Sequence, residues 1–152
     1  MRKNILTPKS QPTTVSFMLL ILRLIAGTAF IIHGWLKIQQ PGSWVPSGAP
    51  ISIPAFFQVL AAVSEFCGGI AWILGLLTQL ASFGIGCTMC VAVYFHAFVF
   101  SDPFVNLKGG NAFELPLLFL GIAVSFFLTG PGEFSLDAKL FTQKTFAKKA
   151  FV

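Results

Sequence analysis

Charge is what this sequence has least of: only 10% of its 152 residues are Asp, Glu, Lys or Arg, with five acidic side chains and two histidines in all. A soluble domain carries charge on about a quarter of its residues. With 55% hydrophobic residues and 18 phenylalanines against one tyrosine, the polar surface is too small to coat a soluble body, which argues against an exported soluble enzyme. The net charge of +5 does not support a nucleic-acid reader, because the cations gather at the two ends of the chain and form no stripe interleaved with aromatics. Cysteine is scarce as well. Cys67, Cys87 and Cys90 all fall in apolar runs, and although the last two spell C-x-x-C, no second pair completes a metal tetrahedron, so they read as packing residues and no metal site is expected. Neither Gly84-Ile85-Gly86 nor Gly130-Pro131-Gly132 continues into a dinucleotide fingerprint, and there is no Walker sequence, so a nucleotide cofactor held by this chain alone is not expected.

What is present is long apolar runs. A bilayer core of about 30 Å needs about 20 mostly apolar residues. Four stretches meet this requirement, over residues 15–38, 55–77, 79–100 and 112–129, inside a bundle spanning 15–130. A proline-rich loop, 39–54, follows the first of them. Leu76-Leu77-Thr78-Gln79 leaves room only for a tight antiparallel hairpin between the second and third. The expected fold is all-α: an antiparallel bundle of four transmembrane helices.

Cations set the expected direction. Arg2, Lys3 and Lys9 precede the first span within segment 1–14, and Lys139, Lys144, Lys148 and Lys149 follow the fourth within segment 131–152. Only Lys37 and Lys108 lie on the other side, so both termini are expected in the cytoplasm. The first run is too long for a signal-peptide core, and its small residues, Ala26 to Ala29, sit mid-run. In the tail, Leu136, Leu140, Ala147 and Phe151 share one helical stripe, which suits either a helix lying in the anionic interface or a solvated extension. Trp35, Trp44 and Phe104 read as anchors at the opposite interface.

Ionisable groups inside hydrocarbon cost several kcal/mol unless paired. Measured along the spans, Arg23 lies about 12 Å and Glu65 about 14 Å from the cytoplasmic end, so a bidentate ion pair between them is expected. Gln58, Ala61, Ala62, Glu65, Gly68, Gly69 and Trp72 fall on one stripe of the second span, and Arg23, Gly27, Phe30 and Lys37 on one of the first, as close helix contact requires. The pair is either structural or proton-carrying.

A second polar level lies near the outer surface, where His33 and His96 both stand about 27 Å from the cytoplasmic side, with Lys37 and Glu114 close by. Facing inward, these four would form a pocket in which an amphipathic ring such as a quinone finds hydrogen-bond partners, with His33 and Glu114 as the candidate catalytic groups exchanging its proton. Each also has a structural reading. Asn111-Ala112-Phe113-Glu114 has the spacing of a capping box, and Lys37 can snorkel to the headgroups. Haem ligation by the two histidines has no other support.

Arg23, then His33-Gly34-x-x-Lys37, Glu65-x-x-Gly68-Gly69 with Gly75 before the short turn, Gly109-Gly110-Asn111-x-x-Glu114, and Gly130-Pro131-Gly132-x-x-Ser135-Leu136-Asp137 together resemble the DoxX family in order and spacing. The resemblance implies a four-span protein of a bacterial or archaeal inner membrane, in a family with some members that are small subunits of thiosulfate:quinone oxidoreductase. It also implies other protein subunits as partners beside the lipids. One departure is Gln79, where relatives commonly place a basic residue. On this basis the expected function is a membrane subunit of a quinone-linked, sulfur- or thiol-related oxidoreductase complex, with no cofactor bound by this chain alone. The alternatives are a non-catalytic accessory or scaffold subunit and, with less support, a transporter.

Overall fold

The computed structural model describes residues 11–140. It contains four antiparallel helices, α1 (Thr13–Ile38), α2 (Ala55–Leu74), α3 (Thr78–Tyr94) and α4 (Glu114–Thr129), with α3 prolonged by a π-helical turn, Phe95–Val99. Among the described residues there is no strand. Three of the helices, counting α3 with its π turn, are long and apolar enough to cross a membrane, and α4 is a shorter apolar helix. At 16 residues it is about 24 Å long. The expected cations Arg2, Lys3, Lys9, Lys144, Lys148 and Lys149, and the tail positions Ala147 and Phe151, lie outside the described residues.

Backbone chemistry sets the helix ends. Pro12 and Pro54, both near φ −55° and ψ 142°, stand at the entries of α1 and α2, where a missing N–H costs nothing. Gly75 at φ 63° stops α2 at Leu74, three residues before the expected end, because its left-handed conformation turns the chain directly into α3. Helix α4 begins at Glu114 with Phe113 in the capping position and no side-chain cap. The expected capping box of Asn111 and Glu114 therefore does not form: Glu114 is itself the first helical residue, two positions too early to reach back.

The packing of α1 on α2 is backbone to backbone. A Cβ on Gly34 would lie 2.5 Å from the Phe66 nitrogen, and one on Gly69 would lie 2.8 Å from the Gly27 carbonyl oxygen. This contact fixes a register in which Gly34 faces Phe66 and Gly27 faces Gly69 and Ile73. The two helices are consequently staggered: the first turns of α1 run past the end of α2, and the first turns of α2 rise above the end of α1. The 130–137 segment covers one overhang, with Gly132 against Ser16, and the 39–54 loop covers the other.

Trp72, fully buried, fills the centre. Its ring meets Phe30 at 5.4 Å and Phe126 at 4.9 Å, both edge-on, and Phe30 meets Phe119 of α4 at 4.8 Å. The indole N–H donates to the Ser82 hydroxyl at 2.9 Å, which in turn donates to the Thr78 carbonyl at 2.6 Å, so the one polar atom of the ring is satisfied without water. Outward the bundle shows Met18, Ile25, Ile32, Leu36, Phe56, Leu80 and Leu118, all exposed. That surface is suited to acyl chains and not to water.

Gly34→Ala is expected to lower stability by about 1–3 kcal/mol, because the methyl group must displace main chain. Gly121→Ala, with nothing within 4 Å of the new carbon, is expected to be neutral or mildly stabilising. Thermal unfolding of the two variants in one detergent checks the contrast.

Candidate functional site

Helix α1 ends one residue beyond Lys37, and α2 carries Glu65 three turns below its own start, so the stagger sets both at the level of the Gly34 contact. The Lys37 ammonium donates to both carboxylate oxygens of Glu65, at 2.6 and 2.7 Å. Glu65 is almost wholly buried, its side chain 2% exposed, while Lys37 is 25% exposed. This corrects the expected pair of Arg23 and Glu65. Depth counting from the helix ends assumed a shared starting plane, and the stagger shifts Glu65 some 11 residues along α1, about 16 Å from Arg23. Trp44 lies over the ammonium with its ring centroid 4.6 Å from Nζ, a favourable cation–π geometry. Gln58 holds that loop in place: its side chain accepts from the Val45 N–H at 3.0 Å and donates to the Ile53 carbonyl at 2.7 Å, and its backbone carbonyl accepts from the Trp44 indole at 2.9 Å.

Arg23 serves the opposite end. It is fully buried and donates through Nη2 to the Phe134 carbonyl. Its guanidinium lies where a Cβ on residue 75 would stand, so only glycine fits the hairpin there, a steric demand that adds to the positive φ. Asp137 completes this end by accepting from the backbone N–H groups of Leu77 at 2.8 Å and Thr78 at 2.9 Å, while its own N–H donates to the Gly75 carbonyl at 2.8 Å. A carboxylate on the first N–H groups of α3 satisfies orphan donors and complements the helix dipole. In this way the segment after α4 is latched to the α2–α3 hairpin, and Gln79, the departure from the family pattern, donates to the Phe127 carbonyl at 3.1 Å.

Between α2 and α3 runs a cleft of about 1010 Å³ whose walls include Leu60, Ala61, Ser64, Gly84, Cys87, Thr88 and Phe95, with Lys37, Trp44 and Glu65 at one end. Of the four residues expected to share an outer pocket, only Lys37 lines it. His33 and Glu114 are exposed, and neither side chain has a partner among the described residues. His96 instead pairs through Nδ1 with Asp102 at 2.7 Å. The physical reason is angular: on α1, Gly34 faces α2, which turns the adjacent His33 about 100° away. The cysteines are exposed and not packed inside as expected. Cys67 and Cys87 both line the cleft, yet they lie one turn to either side of the Ser64–Gly84 contact in opposite directions, about 9 Å apart along the axis, too far for a disulfide. No group of three or more metal-binding side chains occurs among the described residues.

Asp102 was missed by the sequence reading, as were the contact of Trp44 with Lys37, the loop-holding role of Gln58 and the capping role of Asp137. The signals were weak: Asp102 follows His96 by six residues across an irregular turn, and the reach of Asp137 to the hairpin has no local spacing.

All-helical architecture, lipid-suited faces and a buried carboxylate matched by a lysine define a polytopic helical membrane protein. The DoxX family profile matches residues 18–98, more than half of the chain. The protein belongs to the DoxX family. Among curated proteins it is similar to an uncharacterised protein of Haemophilus influenzae, 32% identical over 82% of this chain and 92% of that protein. It is also similar to the inner membrane protein YqjF of Escherichia coli, 31% identical over 80% of this chain and 90% of that one. A third relative, named "Putative oxidoreductase CatD", is from Bacillus subtilis and is 30% identical over 82% of this chain and 88% of its own length. No solved structure matches.

Asp137→Ala is expected to cost about 1–2 kcal/mol, the usual loss for a side-chain cap, and to loosen the 130–137 segment. Chemical unfolding together with limited proteolysis within that segment measures both effects.

Proposed function

We propose that this protein is the membrane-embedded subunit of a quinone-linked oxidoreductase complex in a bacterial inner membrane, with both termini cytoplasmic, and that the cleft between α2 and α3 receives the quinone. The observation that carries this reading is the composition of the cleft: apolar walls of ligand-sized volume ending in a charged, hydrogen-bonding pair of buried Glu65 and half-buried Lys37. Pockets for small amphipathic ligands are built this way, and about 1,000 Å³ stands at the upper end of their range. Of the three ammonium N–H groups of Lys37, two serve Glu65, which leaves one donor for a ring carbonyl beside the Trp44 face. The name of the Bacillus subtilis relative gives the reading further support.

Reducing a quinone to its quinol takes two electrons and two protons. In this reading the electrons come from a partner subunit carrying a reduced flavin, haem or dithiol. The residues here bind and orient the ring, exclude water and hold protons at the Lys37–Glu65 pair. That assignment replaces His33 and Glu114 at the ring itself, because neither lines the cleft.

Glu65→Gln keeps the shape and removes the ionisable group. In complex purified gently from native membranes it is expected to lower turnover of a short-chain ubiquinone by about 10²-fold, while His33→Ala and Glu114→Gln stay near wild type. Wild-type turnover per folded Glu65→Gln molecule, combined with reduced yield, makes the pair structural and the chain an accessory subunit.

A further inference from the structure

The π turn at the end of α3 has no role so far. Its i→i+5 hydrogen bond, Phe100 N–H to Phe95 carbonyl at 2.8 Å, re-aims the chain, and Ser101 follows at φ 55°, a left-handed conformation that a non-glycine residue adopts at a cost. The next residue, Asp102, donates its N–H to the His96 carbonyl at 2.8 Å and places its carboxylate 2.7 Å from the His96 Nδ1. One residue's backbone and side chain thus close on another's backbone and side chain. Irregular turns of this kind cluster at functional positions.

We propose that His96 and Asp102 form the acid–base pair through which the cleft exchanges protons with the aqueous phase at the loop end; this rests on the quinone reading above. The carboxylate accepts from Nδ1–H, which fixes the tautomer and leaves the Nε2 lone pair free to take and release a proton. The ring is 29% exposed and lies three residues from the loop end of the Thr78–Val99 span, and the preceding residue, Phe95, forms a wall of the cleft. Phe100 stands edge-on to the imidazole at 5.7 Å and limits its rotation. The other charged groups of this end are Lys37 with Glu65, Lys108 and Glu114, and among the described residues only Asp102 bonds to the His96 ring. In the direction of quinone reduction, His96 takes a proton from water at Nε2 and releases it from the same nitrogen toward the cleft, while Asp102 keeps Nδ1–H in place; in quinol oxidation the order reverses.

The chain has two histidines, so His33→Ala leaves one ring to observe. Full-length protein in lipid nanodiscs, with ¹⁵N-labelled histidine, is titrated with a short-chain ubiquinone while the fluorescence quenching that Trp44→Phe abolishes is followed in parallel. The expected result is an Nδ1–H tautomer for His96 whose Nε2 resonance moves as Trp44 is quenched. In the purified complex, Asp102→Asn is expected to reverse the tautomer, to lower turnover by about 10²-fold and to shift the pH profile, with quinone affinity unchanged. Trp44 quenching with a silent His96 and wild-type turnover in Asp102→Asn overturns the proposal and leaves the cleft reading standing. Absence of any Trp44 response overturns both.

Discussion

A carboxylate in hydrocarbon must be matched or it will be protonated, and the matching of Glu65 by Lys37 is the constraint on which this bundle depends. Glu65 lies deep along α2 while Lys37 belongs to the last turn of α1, so the pair forms only if α1 ends well short of the start of α2. The Gly27, Gly34 and Gly69 contacts provide that offset by letting the two backbones touch in one register. Lysine near a helix end ordinarily sends its charge outward to the headgroups. Here it turns inward, toward two oxygens at 2.6 and 2.7 Å with an aromatic face above.

That offset has consequences at both ends. It leaves the start of α1 projecting past the α2–α3 hairpin, and the protein fills the space with its own 130–137 segment, held by Arg23 and Asp137. It leaves the start of α2 uncovered, and the 39–54 loop folds over it with Gln58 as a peg. Two polar assemblies result, separated by an aromatic centre around Trp72 where the single polar atom is fully bonded. A closed apolar middle with a charged assembly at either end suits the proposed role, in which the chain positions a ligand beside lipid and leaves electron supply to another protein.

Much of this was legible in the sequence. Hydropathy and loop lengths found the four helices. The stripe on α2 named every residue that helix buries, Gln58, Ala62, Glu65, Gly68, Gly69 and Trp72, while the stripe on α1 named Arg23, Gly27 and Phe30 but not Ser16, Leu19, Ala26 or Gly34. Such stripes are local and follow from 3.6 residues per turn. Register was not legible, because it arises from glycine contacts between helices and not from where each helix begins, so Arg23 was matched to the wrong acid. The outer pocket failed for a related reason: equal depth does not mean equal facing, and His33 points away. The His96–Asp102 pair depended on a π turn, which carries no hydropathy signal.

The most direct test is a pair of double-mutant cycles on unfolding free energy, one combining Lys37→Met with Glu65→Gln and the other Arg23→Met with Glu65→Gln. The account predicts a coupling of about 1–3 kcal/mol in the first cycle and additivity within about 0.5 kcal/mol in the second. Coupling confined to the Arg23 cycle, with Lys37 and Glu65 additive, would contradict the staggered register and the site built upon it.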